Sequence, residues 1–176
     1  MRTFFGKARP AQAQFEALLR GHAGIVFRVA NAYSRSSEDR QDLVQEIKVQ
    51  LWRSFPKYDE SRSFSTWMYR IALNVAISYL RRSRWQETID LQFEDVEDRG
   101  ASPEAHLESR AVFDAIQNLD PVSRAVLLLY LDDLSHSEIG DVLGITPNNV
   151  AVKVSRIKQR LRNELTSKED SPNGTR

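Results

Sequence analysis

In the second half of this chain, Ser102–Pro103, Asp120–Pro121 and Thr146–Pro147 each set a capping side chain directly before a proline. A short oxygen-bearing side chain accepts from the free N–H groups that open a helix, and proline suits the first helical position, where an N–H would have no partner. Each pair therefore predicts a helix start. Gly144, just before Thr146, supplies the matching stop, because glycine takes the left-handed conformation at low cost. The stretch "LGITPNNVAVKVSRIKQRLR" at 143–162 thus reads as helix, turn, helix. Only 7 glycines and 6 prolines punctuate 176 residues, which favours long helices over many short strands. The expected class is all-α.

The first half has helical periodicity too. "FEALLRGHAGIVFRVANAY" spaces Phe15, Leu18, Leu19, Ile25, Val26 and Val29 along one face, with Gly21 and Gly24 loosening the middle. In "SSEDRQDLVQEIKVQLWRSF", Ser36 or Ser37 can cap a helix whose buried face is Leu43, Val44, Ile47 and Leu51. "PKYDESRS" breaks the pattern as a loop, and "FSTWMYRIALNVAISYLRRSRW" resumes as a long helix with a basic end that suits its dipole. Periodicity fades from Gln86 to about Ala101. The expected layout is two small helical domains, 1–85 and 102–165, joined by an acidic linker at 86–101 and followed by a disordered polar tail at 166–176.

A formal net charge of +1 hides three blocks. Residues 61–85 carry Arg62, Arg70, Arg81, Arg82 and Arg84 and no acid, whereas 86–109 set eight acids, from Glu87 to Glu108, against Arg99 alone. The last helix is basic again, with Lys153, Arg156, Lys158, Arg160 and Arg162 opposed by Glu164. Cysteine is absent, and His22, His106 and His136 are far apart, so no metal site or cofactor is expected. Asp132 and Asp133 are adjacent helix-end residues that point in different directions, with no nucleophile nearby, so they read as structural. The longest strongly apolar run, "AVLLLYL" at 125–131, is far short of the roughly 18 residues that span a bilayer. "MRTFFGKARP" lacks the apolar core of a signal peptide. A soluble cytoplasmic protein is expected, not inserted in a membrane and with no catalytic constellation or small-molecule substrate.

On the final helix, Val150, Val154, Ile157 and Leu161 form an apolar stripe. Asn148, Asn149, Lys153, Arg156 and Arg160 fall outside it, offering amides for base edges and cations for phosphates. A solvated basic helix closing a small bundle has the same pattern.

Two longer stretches narrow the choice. "DRQDLVQEIKVQLWRSFPKYDESRSFSTWMYRIALNVAISYLRR" resembles the second conserved region of extracytoplasmic-function (ECF) sigma factors, members of the sigma-70 family. "LDPVSRAVLLLYLDDLSHSEIGDVLGITPNNVAVKVSRIKQRLR" is similar to their fourth region, and the two come in the family's order. The resemblance implies a non-enzymatic subunit that binds bacterial core RNA polymerase and recognises promoter DNA at −10 and −35 elements. It assigns Asp39, Asp42, Gln45 and Glu46 to the polymerase-facing surface. For the unstacked −10 strand it points to the loop and helix start at "FPKYDESRSFSTWMYR". There, and in the helix that follows, Lys57, Tyr58, Asp59, Arg62, Ser63, Ser65, Thr66, Arg70 and Asn74 supply the aromatic, cationic and polar groups that single-strand capture needs. For the −35 duplex it points to Asn148, Asn149, Lys153, Arg156 and Arg160. Ala151 and Lys153 replace the family's common Lys and Arg, so the docking mode carries over but no particular promoter sequence does. A separate anti-sigma factor is the expected regulator, since the tail after Leu165 is too short for a sensor domain.

The alternatives are a polymerase-independent helix-turn-helix regulator, which would bind palindromic duplex DNA alone, and a nucleic-acid enzyme. Both leave the "DLVQE…FSTWMYR" block unexplained.

Overall fold

The computed structural model describes residues 8–87, 112 and 114–169, with the helix ends at 8–10, 83–87 and 166–169 traced by their backbone alone. The chain divides into two units, Met1–Gln92 and Phe93–Arg176. Every regular element among the described residues is helical.

The first unit holds α1 (Ala8–Gly21), α2 (Ala23–Tyr33), α3 (Ser37–Ser54), a 3-10 turn (Phe55–Lys57) and α4 (Phe64–Glu87). The break between α1 and α2 falls at His22, between the two glycines, where the ring nitrogen Nδ1 lies 2.9 Å from Leu18 O. Ser36 opens α3 by accepting from Asp39 N at 3.0 Å, which places Glu38 and Asp39 in the first turn where the helix dipole favours acids. Helices α2, α3 and α4 pack pairwise on one another. Leu43, Ile47 and Leu51 line the buried side of α3, and Val26, Val29 and Ala30 that of α2. Met68, Ala72, Ala76 and Leu80 recur every fourth residue along α4, all buried. The two alanines in that row let α4 approach its neighbours closely.

The second unit contains helical residues 114–117, α5 (Pro121–Leu131), α6 (His136–Leu143) and α7 (Pro147–Glu169). Asp120 caps α5, its Oδ1 accepting from Val122 N at 3.1 Å and Ser123 N at 3.0 Å. Burial works to raise its carboxyl pKa, but the Ser123 and Val122 bonds and the Lys153 charge outweigh that and hold it below 3.8. Helix α5 ends in a Schellman turn, with Leu134 N donating to Leu129 O and Asp133 N to Tyr130 O, both at 3.2 Å. Asp133 takes the left-handed position there at φ 60°, so the Asp132–Asp133 pair is a helix stop. Ser135 and Glu138 form a capping box on α6, and their bonds hold the Glu138 carboxyl below its ordinary value.

Gly144, at φ 70°, closes α6 and turns the chain into α7. A second glycine matters more for this turn. Gly140 O accepts from Gly144 N at 2.8 Å and Ile145 N at 3.1 Å, and a Cβ on Gly140 would lie 2.6 Å from Ile145 O. The turn therefore sits against the backbone of α6, which no side chain at 140 would permit. Arg124 is buried on α5 and donates Nη2 to the carbonyls of Gln117 and Leu119, fastening the helical segment before it. Lys158 of α7 lies over the Tyr130 ring, 4.3 Å from its centroid, and donates to the phenol oxygen at 2.6 Å.

Two expected boundaries differ. Helix α4 runs past Trp85 to Glu87, and α7 runs past Leu165 to Glu169, into the stretch expected to be disordered. Once a helix is nucleated, each added residue gains a backbone hydrogen bond, so polar sequence alone does not end it. The rest of the expected linker (88–101), the helix start at Ser102–Pro103 and residues 170–176 lie outside the described residues.

Candidate nucleic-acid interface

On α7 the helical turn angle puts Asn149, Lys153, Arg156 and Arg160 in one stripe, about 100° round the axis from the apolar stripe. Val150, Val154 and Ile157 in that apolar stripe are buried, and Leu161 is half-buried. Asn148 and Asn149 are exposed at the start of the helix, where Thr146 Oγ1 accepts from Asn149 N at 3.3 Å. Arg156 is exposed and has no hydrogen-bond or ion-pair partner among the described residues. Lys153 is half-buried and near enough to Asp120 to help hold that carboxyl ionised.

Arg160 differs from the others in the stripe. Its Nε donates to Glu164 Oε1 at 2.7 Å and its Nη2 to Asn118 O at 3.1 Å. With Arg124 on Gln117 and Leu119, three successive carbonyls accept from guanidinium groups. Arg156 and Arg160 also line an open cavity of about 610 Å³ with Gln159, Asn163, Glu164, Asn118 and Ala115. Asn148, Asn149, Arg156 and Arg160 are all exposed, but Arg160 is tied to Glu164 and to the carbonyl of Asn118, which braces the helix.

In the first unit, residues 58–63 form an ordered turn. Tyr58 N donates to Phe55 O at 2.9 Å, Tyr58 OH to Arg62 O at 2.7 Å, and Arg62 N to Asp59 O at 3.0 Å. Ser61 bonds hold the Asp59 carboxyl below its ordinary range, with the Arg62 charge adding to them. The Ser63 and Ser65 hydroxyls are 2.8 Å apart, and Ser63 O accepts from Trp67 N as α4 begins.

Tyr58 belongs to an aromatic cluster. Its ring lies 6.1 Å from Phe55 in a stacked pair, 5.3 Å from Phe64 edge-on and 5.1 Å from Trp67. Phe15 adds contacts of 5.1 Å to both Trp52 and Phe55. The loop therefore starts on Phe55, Phe64 and Trp67, with Phe15 packed behind Phe55, a cluster that the break at "PKYDESRS" does not announce. Thr66, Arg70 and Asn74 follow at intervals of four along one side of α4, with Arg70 and Asn74 exposed, and Arg62 is exposed in the loop that precedes the helix. Lys57 is exposed beside them.

The acidic side of α3 is partly occupied from within the chain. Asp39 Oδ1 accepts from Tyr79 OH at 2.7 Å, and Glu46 accepts from Arg82 Nη2 at 2.7 and 2.8 Å. Asp42 and Gln45 are exposed between them.

The fold and these surfaces define a helical protein of two units, one of which is a helix-turn-helix with an open polar stripe. Sigma-70 region 2 matches residues 18–86 and sigma-70 region 4 matches residues 109–161. The ECF RNA polymerase sigma-E factor of Haemophilus influenzae is 31% identical, the match covering 78% of this chain and 82% of that protein. The ECF RNA polymerase sigma factor SigE of Mycolicibacterium smegmatis is 32% identical over 88% of this chain, which spans 63% of that relative's length. Among solved structures, CnrH in complex with the cytosolic domain of CnrY is similar with a TM-score of 0.67 and 25% identity, covering 91% of each chain. The sigma factor RpoE of Bartonella quintana, in complex with the anti-sigma factor NepR, has the same TM-score of 0.67 at 19% identity, over 88% of this chain and 96% of that one. This chain belongs to the ECF sigma factors of the sigma-70 family. It is an RNA polymerase-associated transcription initiation factor. Among the described residues, no helix is long and apolar enough to cross a membrane.

Proposed function

We propose that the chain is a cytoplasmic, non-enzymatic subunit that gives bacterial core RNA polymerase its promoter selectivity. Residues 1–85 and 102–165 are its two working domains, joined through the acidic segment 86–101. Asp39, Asp42, Gln45 and Glu46 face the polymerase, with Asp42 and Gln45 open to basic partner residues. Lys57, Arg62, Arg70 and Asn74 follow the backbone and base edges of the opened −10 strand, while Tyr58, Asp59, Ser63, Ser65 and Thr66 shape and line the place where a base leaves the stack. Asn148, Asn149 and Arg156 read and grip the −35 duplex, with Lys153 and Arg160 supporting them.

The observation that carries this reading is the Thr66–Arg70–Asn74 row of α4 next to a loop that holds Arg62 and is closed by its own hydrogen bonds. Single-strand capture uses such a preordered polar edge, whereas a duplex-binding regulator leaves it idle. The regulator proposed for the chain is an anti-sigma factor, by analogy with the complex of the sigma factor RpoE with the anti-sigma factor NepR.

Run-off transcription with core polymerase tests the reading. Discrete initiation only when the chain is present, lost in Asp42→Arg together with core binding, is the expected result. Tight binding to duplex sites by the chain alone, with no initiation, overturns it.

A further inference from the structure

The region 2 match begins at residue 18, whereas α1 begins at Ala8, and side chains on this earlier part of the helix reach the loop. Phe15 is buried against Trp52 and Phe55, and Phe55 in turn stacks on Tyr58, from which the loop departs. Gln14, its neighbour in sequence, donates Nε2 to Glu60 Oε1 at the loop tip, at 2.8 Å. Where α1 ends, the His22 ring meets Phe64 edge-on at 5.3 Å, at the point where the loop enters α4. Helix α1 and the turn after it thus meet the loop tip through Gln14 and the residues on either side of the loop through Phe15–Phe55 and His22–Phe64.

The loop's other hydrogen bonds are local: Tyr58 to Arg62, Ser61 to Asp59 and Ser63 with Ser65. These bonds set its curvature; its tilt relative to α4 rests on the Tyr58 ring against Phe64 and Trp67 and on what meets the loop from α1. Among the described residues, Gln14–Glu60 is the one hydrogen bond from residues 58–63 to a distant part of the chain. We infer that α1 sets the pose of the loop, with Gln14 and Phe15 as positioning residues for base selection at the −10 element. This rests on the assignment of residues 57–74 to that element. Neither residue needs to touch DNA, because a small misplacement of the loop changes how well the selected base fits relative to its competitors.

The test is run-off transcription by core polymerase with the full chain on promoters randomised through the −10 element. Gln14→Glu, which sets a carboxylate against Glu60, is expected to reduce discrimination between preferred and disfavoured −10 bases by about two- to tenfold. Upstream-element preference, core binding and melting temperature should not change. The charge-restoring pair Gln14→Glu with Glu60→Lys should recover discrimination, and Phe15→Leu, which keeps apolar volume but removes the ring, should lower it as well. Unchanged base selection in all three variants overturns the inference, and so does an equal loss on every template that follows a drop in melting temperature. Asn74→Ala separates the two levels. If it alters −10 selection while the α1 variants do not, only the role of α1 falls. If it leaves selection intact, the assignment of this surface falls, and the inference with it.

Discussion

Tyr79 of α4 donates its phenol to Asp39 Oδ1 of α3 at 2.7 Å, joining two helices of the first unit at the edge assigned to polymerase binding. Burial, then the Asp39 bond and the charges of Asp39, Asp42 and Glu46, push the Tyr79 pKa well above its usual 10.0. The native state therefore keeps a proton that the unfolded chain releases. The resulting stabilisation is complete below about pH 10 and is lost as pH rises towards the higher native value. Tyr79→Phe should cost about 1 kcal/mol at neutral pH and flatten the alkaline limb, as read by urea unfolding from about pH 8 to pH 11. An alkaline limb as steep as that of the parent protein would show that this phenol is not the group responsible. Tyr58, whose pKa is also raised, then becomes the alternative source.

Gly140→Ala places a methyl group 2.6 Å from Ile145 O, where only the backbone can yield. The expected cost is about 1–3 kcal/mol. It should appear as a lower melting temperature, with weaker binding of the −35 element by the polymerase complex. A substitution with no effect on either would show that the turn does not sit against α6 at this point.

Asp120→Ala removes the two N–H bonds that open α5 and should cost about 0.5–2 kcal/mol near neutral pH. Because the native carboxyl is held below 3.8, its contribution is present above that value and is lost as pH falls through the lower native pKa. The acid limb of the pH–stability curve should therefore be shallower in Asp120→Ala. Asp120→Asn keeps an acceptor oxygen and should recover most of the neutral-pH loss without restoring the acid limb. Equal acid limbs in all three proteins would contradict the assignment.

What could be read ahead of the structure was governed by local chemistry. Asp120, Thr146, Ser36 and Gly144 act through atoms a few residues away, so their types and positions alone place the helix ends. The apolar stripe of α7 is equally local, because helical spacing puts Val150, Val154 and Ile157 on one face. Gly140 is different: it looks like any glycine inside a helix until the turn folds back on it. Arg124 has the same sequence appearance as Arg156, yet one is buried on carbonyls and the other is exposed. Arg160 and Glu46 were read as partner-facing, and the structure shows each with an ion-pair partner from its own unit. Charge pattern reports that a group is ionised, not which neighbour it meets. The packing of Phe15 on Trp52 and Phe55 was missed for a related reason, since Phe15 is far from both in sequence.

On the proposed function, two surfaces of one chain select two different promoter elements. The most direct test is run-off transcription by core polymerase on promoters randomised at both elements, comparing the parent chain with Asn149→Ala and Asn74→Ala. Asn149→Ala should relax base preference by about 1–3 kcal/mol at one or two −35 positions and leave the −10 preference unchanged. Asn74→Ala should do the reverse. If both variants lowered transcription evenly on every template, or if Asn149→Ala changed binding to duplex sites without any need for polymerase, the two-element account would be contradicted.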